Sequence, residues 1–296
     1  MTGTLATRPY AGEDDYARMR SLLVTIAAAG PAHYCTVGDL DWWRFGNGDP
    51  ETVRATQLWF DGDELVAFAW SPYDAQGELL THPDYRAAED GLYAWIEARR
   101  GQAAPSQPCA VWAYDSDTPR VACLRARGYA RTGRCFRYRT CNLAEAPPAV
   151  PLPPGYSIRN VRGEADLERR VAVHRAAFAP SRMTVEKHRR VLAAPTYRAD
   201  LDLVVVAPGG DFAAYCLVWL DTANALGVFE PVGTDPAHQR RGLGKAVLAE
   251  GLRRLRALGA RAAFVNSHGD SVAANRLYDS AGFRVVGENH AWEQAR

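Results

Sequence analysis

Apolar residues recur at helical spacing from Asp14 to Ala28, where Met19, Leu22, Leu23 and Ile26 share one face. They alternate over Thr56 to Phe60 and Glu64 to Trp70, with Gly62 between the two runs, which predicts a hairpin. The same reading gives a strand over residues 4–10, a short helix around Leu40 to Phe45, and a strand from Gly77 to Thr81. A helix from Asp90 to Arg99, a strand from Ala110 to Tyr114, a helix from Pro119 to Arg127 and closing strands from Gly128-Tyr129 complete a first series. A second series then begins. It runs through a strand (Tyr156 to Val161), helices (Glu164 to Phe178, Val185 to Ala193) and a hairpin (Leu201 to Val206, Phe212 to Leu220) around Gly209-Gly210. A strand near Val228, an amphipathic helix, a strand from Arg261 to Asn266 and a last helix and strand follow.

The two series hold the same elements in the same order and in register. Thr81-His82-Pro83 lies 153 residues before Thr234-Asp235-Pro236, and Gly128 lies 154 before Gly282. This is an internal repeat at domain scale. Between the copies, Glu145 to Gly155 holds five prolines, a composition that suits neither helix nor sheet. The expected organisation is residues 1–145, a proline-rich linker at 146–155, and residues 156–296.

The densest chemistry lies in V-F-E-P-V-G-T-D-P-A-H-Q-R-R-G-L-G-K, Val228 to Lys245. Asp235-Pro236 ends a strand, and Gln239 to Gly244 forms a glycine turn that opens a helix. Unpaired N–H groups converge at such a turn, and Gly242 and Gly244 let a phosphate approach the backbone. Arg240, Arg241 and Lys245 add cations for the diphosphate and a further phosphate of a nucleotide-like cofactor. The dinucleotide fingerprint is excluded, since Val247 stands where its third glycine belongs. The triphosphate loop is excluded as well, because Ala246 follows the lysine. Pro231 has no N–H to give to a ladder, so the strands around it should part.

The Q-x-x-G-x-G pattern of Gln239 to Gly244, followed at the right distance by N-R-L-Y-D-S-A-G-F from Asn275 to Phe283, resembles the GNAT N-acetyltransferase superfamily. The resemblance implies a mixed α/β fold in two tandem acyltransferase copies, and transfer of an acetyl group from acetyl-CoA to an amine by direct attack. It implies that the pantetheine arm pairs with Val232, Gly233 and Thr234, and that Gln239, Arg240, Arg241, Gly242, Leu243, Gly244 and Lys245 hold the phosphates. Asn275 is a further cofactor contact, with Asn266 as a weaker candidate. Glu230 matches the usual position of a general base acting through water, and Tyr278 that of the acid that protonates the departing thiolate. An N–H on the strand of Glu230 is a candidate oxyanion donor. The copies differ: Arg86, Glu89 and Gly91 stand opposite Gln239, Gly242 and Gly244, and Leu124 opposite Tyr278. A carboxylate in the first copy's turn would repel a diphosphate. The second copy is therefore expected to be the active one, an arrangement similar to that of the mycothiol synthases. The alternative is a non-catalytic acyl-CoA sensor or interaction module.

Composition narrows the partners. A net charge of +1 gives no footprint for nucleic acid or anionic membrane, and no stretch of 18 apolar residues occurs. The N-terminus lacks a secretory pattern, so a cytoplasmic protein is expected. Six cysteines show neither C-x-x-C pairing nor metal-type spacing with histidine, so neither a disulfide nor a metal is expected. The sequence leaves the acceptor open between a small-molecule amine, the favoured class, and a protein lysine or N-terminus, with the aromatic residues Trp42, Trp43, Phe45, Trp59, Trp70 and Trp112 in the core or along an acceptor cleft.

Overall fold

A computed structural model describes residues 5–30, 34–47, 55–73, 76–103, 108–145 and 147–294. The first half contains β1 (Ala6–Pro9), α1 (Glu13–Ala28), α2 (Val37–Trp42), β2 (Thr56–Asp61), β3 (Glu64–Tyr73), β4 (Gln76–Thr81), α3 (Glu89–Ala103), β5 (Cys109–Tyr114), α4 (Thr118–Ala126) and β6 (Tyr129–Asn142). The second contains β7 (Ser157–Asn160), α5 (Leu167–Ala177), α6 (Val185–Val191), β8 (Asp202–Val206), β9 (Phe212–Asp221), β10 (Leu226–Thr234), α7 (Leu243–Ala257), β11 (Ala262–His268), α8 (Val272–Ser280) and β12 (Arg284–Gln294). The order follows the hydrophobic pattern. The closing strands expected after Gly128 are one strand of 14 residues, β6.

Among the described residues, all twelve strands join one mixed sheet, in the order β1-β2-β3-β4-β5-β12-β6-β11-β10-β9-β8-β7. The last strand of each half is exchanged. β6 lies against β11, with Ala262 opposite Asn142, and β12 lies against β5, with Asn289 opposite Tyr114. β6 and β12 pair with one another down the middle of the sheet, from Arg284 opposite Thr140 to Gln294 opposite Tyr129. Neither half completes its sheet without a strand from the other.

Side chains carry the union further. Trp42 of α2 is buried in one cluster with Val171, Leu217, Trp219 and Val228 of the second half. The Gly38 backbone lies so close to Trp219 that a Cβ there would meet its Cβ at 2.3 Å. Buried Asp41 accepts from Tyr16 Oη at 2.6 Å, from Arg20, and across the halves from the Thr196 amide at 2.9 Å and its hydroxyl. Burying aromatic area of this size against close-packed neighbours is the main attraction between the halves. The helix α2 is itself fixed by a capping box, in which Thr36 Oγ1 accepts from the Asp39 amide and the Asp39 carboxylate accepts from the Thr36 amide at 2.8 Å.

Candidate active site

β10 and β11 run parallel from Leu226/Ala262 to Val228/Phe264 and then part. Beyond that point β10 pairs only with β9 and β11 only with β6. The opening comes earlier than the position of Pro231 alone predicts. On the β9 side the register shifts between Phe229 and Val232, a bulge that re-aims the residues around Pro231. Val232, Gly233 and Thr234 keep β9 partners on one edge and face the parting with the other.

Below the parting, Gly242 has φ 78° and Arg240 φ 59°, left-handed conformations that fold the chain into the cap of α7. The first helical bond of the cap runs from the Ala246 amide to the Gly242 carbonyl, so the preceding amides lie outside the ladder. Gly242 has open space where a Cβ would be. Gly244 does not: a Cβ would stand 3.2 Å from Thr234 Oγ1 and 3.3 Å from Leu277. Leu243 is buried and anchors the turn, whereas Gln239, Arg240 and Arg241 are exposed and Lys245 is half-buried. Arg253 and Arg254 further along α7 are neutralised by Glu250.

Glu230 is half-buried at the parting. Burial, with the charge of Asp39 added, pushes its carboxyl up to about 8. Tyr278 of α8 is 6% exposed, and burial followed by the charge of Glu230 raises its phenol. Tyr278 on α8 thus senses Glu230 on β10. Both groups favour their protonated forms, and the shift brings the Glu230 carboxyl into the range where proton exchange near neutral pH is effective.

Asn275 behaves differently from a free cofactor contact. Its carbonyl accepts from Ser267 Oγ at 2.9 Å and its amide donates to the Gly269 carbonyl at 3.0 Å, so it braces the loop between β11 and α8. His238 pairs with Tyr156 Oη at 2.9 Å, and His174, His188 and His290 are buried. Of the six first-half aromatics expected in the core or along an acceptor cleft, Trp42, Trp59 and Trp70 are buried. Trp43, Phe45 and Trp112 are half-buried.

Three site features were missing from the sequence reading. Trp219 Nε1 donates to the Glu230 carbonyl at 2.6 Å. Asp39, from the other half, bears on Glu230, and the T-V-G-D capping signature at Thr36 was the available signal for it. The third is a group brought together by strand exchange: ligand atoms of Cys135, Glu288 and His290 lie within 4.8 Å of one another. Arginines engage that group, with Arg131 Nη2 2.6 Å from His290 Nε2 and Arg137 Nε 2.9 Å from Glu288.

A model of the acetyltransferase (GNAT) family matches residues 171–283. A mycothiol acetyltransferase of Kineococcus radiotolerans is 36% identical over 218 residues, covering 70% of this chain and 68% of that protein. One of Thermobispora bispora is 32% identical over 258 residues, covering 80% and 82%. Among solved structures, a GCN5-related N-acetyltransferase from Sphaerobacter thermophilus superposes with TM-score 0.66 at 21% identity, over 98% of this chain and 95% of that one. A tandem GNAT protein from the clavulanic acid biosynthesis pathway gives TM-score 0.65 at 19% identity, over 99% of each chain. The glycine turn, the parted strands and these relatives agree, and the chain is an acetyltransferase that belongs to the GNAT family.

Proposed function

We propose that acetyl transfer takes place in the second half, residues 156–296, with residues 1–145 as a supporting half joined through the proline-rich segment 146–155. The observation that carries this reading is the open parting of β10 and β11, flanked by Glu230 and Tyr278 and underlain by the left-handed Gly242 turn. The first half has Glu89 in place of that glycine and Leu124 in place of that tyrosine.

The turn residues Gln239 to Lys245 would hold the phosphates of acetyl-CoA, with Arg240, Arg241 and Lys245 offsetting their charge. The backbone edge of Val232, Gly233 and Thr234 would hold the pantetheine arm. Acetyl-CoA supplies an acetyl group activated as a thioester. Glu230, with its carboxyl near 8, takes a proton from the arriving ammonium through water. The amine nitrogen then bonds to the acetyl carbon, and a β10 amide stabilises the oxyanion. The C–S bond breaks, the Tyr278 hydroxyl protonates the leaving thiolate, and the second proton that the nitrogen sheds on becoming an amide returns to the phenolate through solvent.

The acceptor in this reading is a small-molecule amine, namely the des-acetylated precursor of mycothiol, the compound in the relatives' names. Dependence on acetyl-CoA fits a cytoplasmic enzyme. The assay is CoA release with acetyl-CoA and a panel of des-acetylated mycothiol, an aminoglycoside, a polyamine and free amino acids. Turnover that prefers des-acetylated mycothiol by tenfold or more is expected. A preference for another member overturns the acceptor, and CoA binding without turnover on any member favours a sensor.

A further inference from the structure

The first half has its own parting, and it is filled. Among the described residues, β4 and β5 pair only at Gln76/Ala110 and then diverge, as β10 and β11 do. Arg120 of α4 reaches into that space. Its side chain is 2% exposed, Nη2 stands 2.8 Å from Glu89 Oε1, and Nη2 also points to the Leu79 carbonyl at 3.4 Å. Leu79 lies 153 residues before Val232, one of the residues assigned above to the pantetheine arm. An arginine side chain thus takes the place that corresponds to the one proposed for the cofactor arm in the second half.

The plug is secured on all sides. Glu89, expected from the sequence to project a charge from the phosphate turn, is 3% exposed and turned inward to Arg120. Arg86 pairs with Glu89 at 3.1 Å and with Asp117 at 2.6 Å, and Asp117 accepts from Tyr34 Oη at 2.8 Å. The Arg120 guanidinium lies 4.0 Å from the centre of the Tyr34 ring.

An aromatic stack leads on from there. Tyr34 meets Tyr114 edge-on at 4.9 Å and accepts its amide N–H at 3.2 Å, and Tyr114 meets Tyr138 at 5.1 Å. Tyr138 stands on the exchanged strand β6 opposite Asn266 of β11, on the far bank of the second half's parting. Burial, and after it the charge of Asp39, raises the Tyr138 phenol, as the same two causes raise the Glu230 carboxyl.

We propose that Arg120 is a positioning residue for acetyl transfer: it seals the first half's cofactor cleft and, through Tyr34 and Tyr114, sets the ring of Tyr138 on the wall against which the acceptor amine is held. The proposal rests on placing the chemistry in the second half. It makes the first half a fixed wall, because a cleft filled by a buried guanidinium paired with Glu89 does not open and close with ligand.

Steady-state kinetics of Arg120→Ala with acetyl-CoA and des-acetylated mycothiol test it. The acceptor KM should rise about tenfold while kcat and the acetyl-CoA KM stay within about twofold, and added ethylguanidinium should restore the acceptor KM. An unchanged acceptor KM in the folded variant overturns the proposal, as does a tenfold loss that ethylguanidinium leaves in place. Should Arg120→Ala fail to fold, Tyr34→Phe keeps the guanidinium paired and removes the hydroxyl between Asp117 and Tyr114. An increase in acceptor KM of about threefold is then expected, and none overturns it. Titration of the wild type with CoA separates this proposal from the reading beneath it. Two sites per chain refute the seal, whereas one site without acetylation of this amine counts against the acceptor assignment and leaves the seal supported.

Discussion

The indole Nε1 of Trp219 donates to the backbone carbonyl of Glu230 at 2.6 Å, and this bond ties the proposed base to the buried centre of the sheet. It sits at the bulge between Phe229 and Val232, where the regular ladder with β9 is interrupted. Gly38 of the first half lies against Cβ, Cγ and Cδ1 of the same side chain. The base is therefore held by both halves, although it belongs to one.

Trp219→Phe keeps most of the packing and removes the donor. A loss of about 1 kcal/mol in stability is expected, the usual worth of one hydrogen bond. A fall of about fivefold in kcat is expected as well, as Glu230 loses its fixed orientation. Chemical denaturation and steady-state assays read the two effects separately.

Glu230→Gln removes the proposed base, whose carboxyl is pushed up to about 8. A base works in its deprotonated form, so kcat/KM of the wild type should climb with pH through about 8 and level off above it. The variant should lose that limb and run about 10²-fold slower at pH 8.5. A wild-type profile that is flat from pH 6 to 9 contradicts the assignment.

Tyr278→Phe leaves the buried ring in place and removes the proton. Its effect should fall on kcat, about 10²-fold, with the acetyl-CoA KM within twofold, because the thiolate exists only late in the reaction. Equal losses in binding and turnover would mark the residue as packing.

Glu78 on β4 gives a stability test. Burial pushes its carboxyl up to about 8 from an ordinary value of 4.5, with Asp39 raising it further and Arg120 opposing. The folded state thus holds a proton that the unfolded chain releases, so this group's contribution is complete below about 4.5 and is lost as pH rises through 8. Glu78→Gln should accordingly be the more stable protein at pH 9, by roughly 1 kcal/mol or more, and show no such gain at pH 5. Denaturation midpoints at the two pH values decide it.

Much of this was legible in the chain. The order of elements follows from periodicity, and the 153-residue register exposes the two copies. The left-handed turn at Gly242 and the cap at Gly282, φ 94°, follow from glycine placement. Strand exchange was not legible, because alternation marks β6 and β12 as strands without saying which edge each will join. Arg120 sits in T-P-R-V-A-C-L-R-A, where an arginine looks like any solvated helix residue, and only its three-dimensional partners show that it is buried. Glu89 was visible as a substitution for glycine, but its inward turn depends on that arginine 31 residues away. Gly244 was read as serving phosphate approach alone, yet its contacts with Thr234 and Leu277 make it a packing position too.

For that reason Gly242, which has open space beside it, is the position to alter in testing where the cofactor binds. Gly242→Glu puts an anion at the start of α7 and imposes a left-handed strain of about 1–2 kcal/mol. Calorimetric titration of CoA into the folded wild-type and Gly242→Glu proteins is the most direct measurement of the central claim. One site per chain in the wild type, weakened at least tenfold in the variant, is the predicted result. Two comparable wild-type sites, or unchanged affinity in the folded variant, would contradict it.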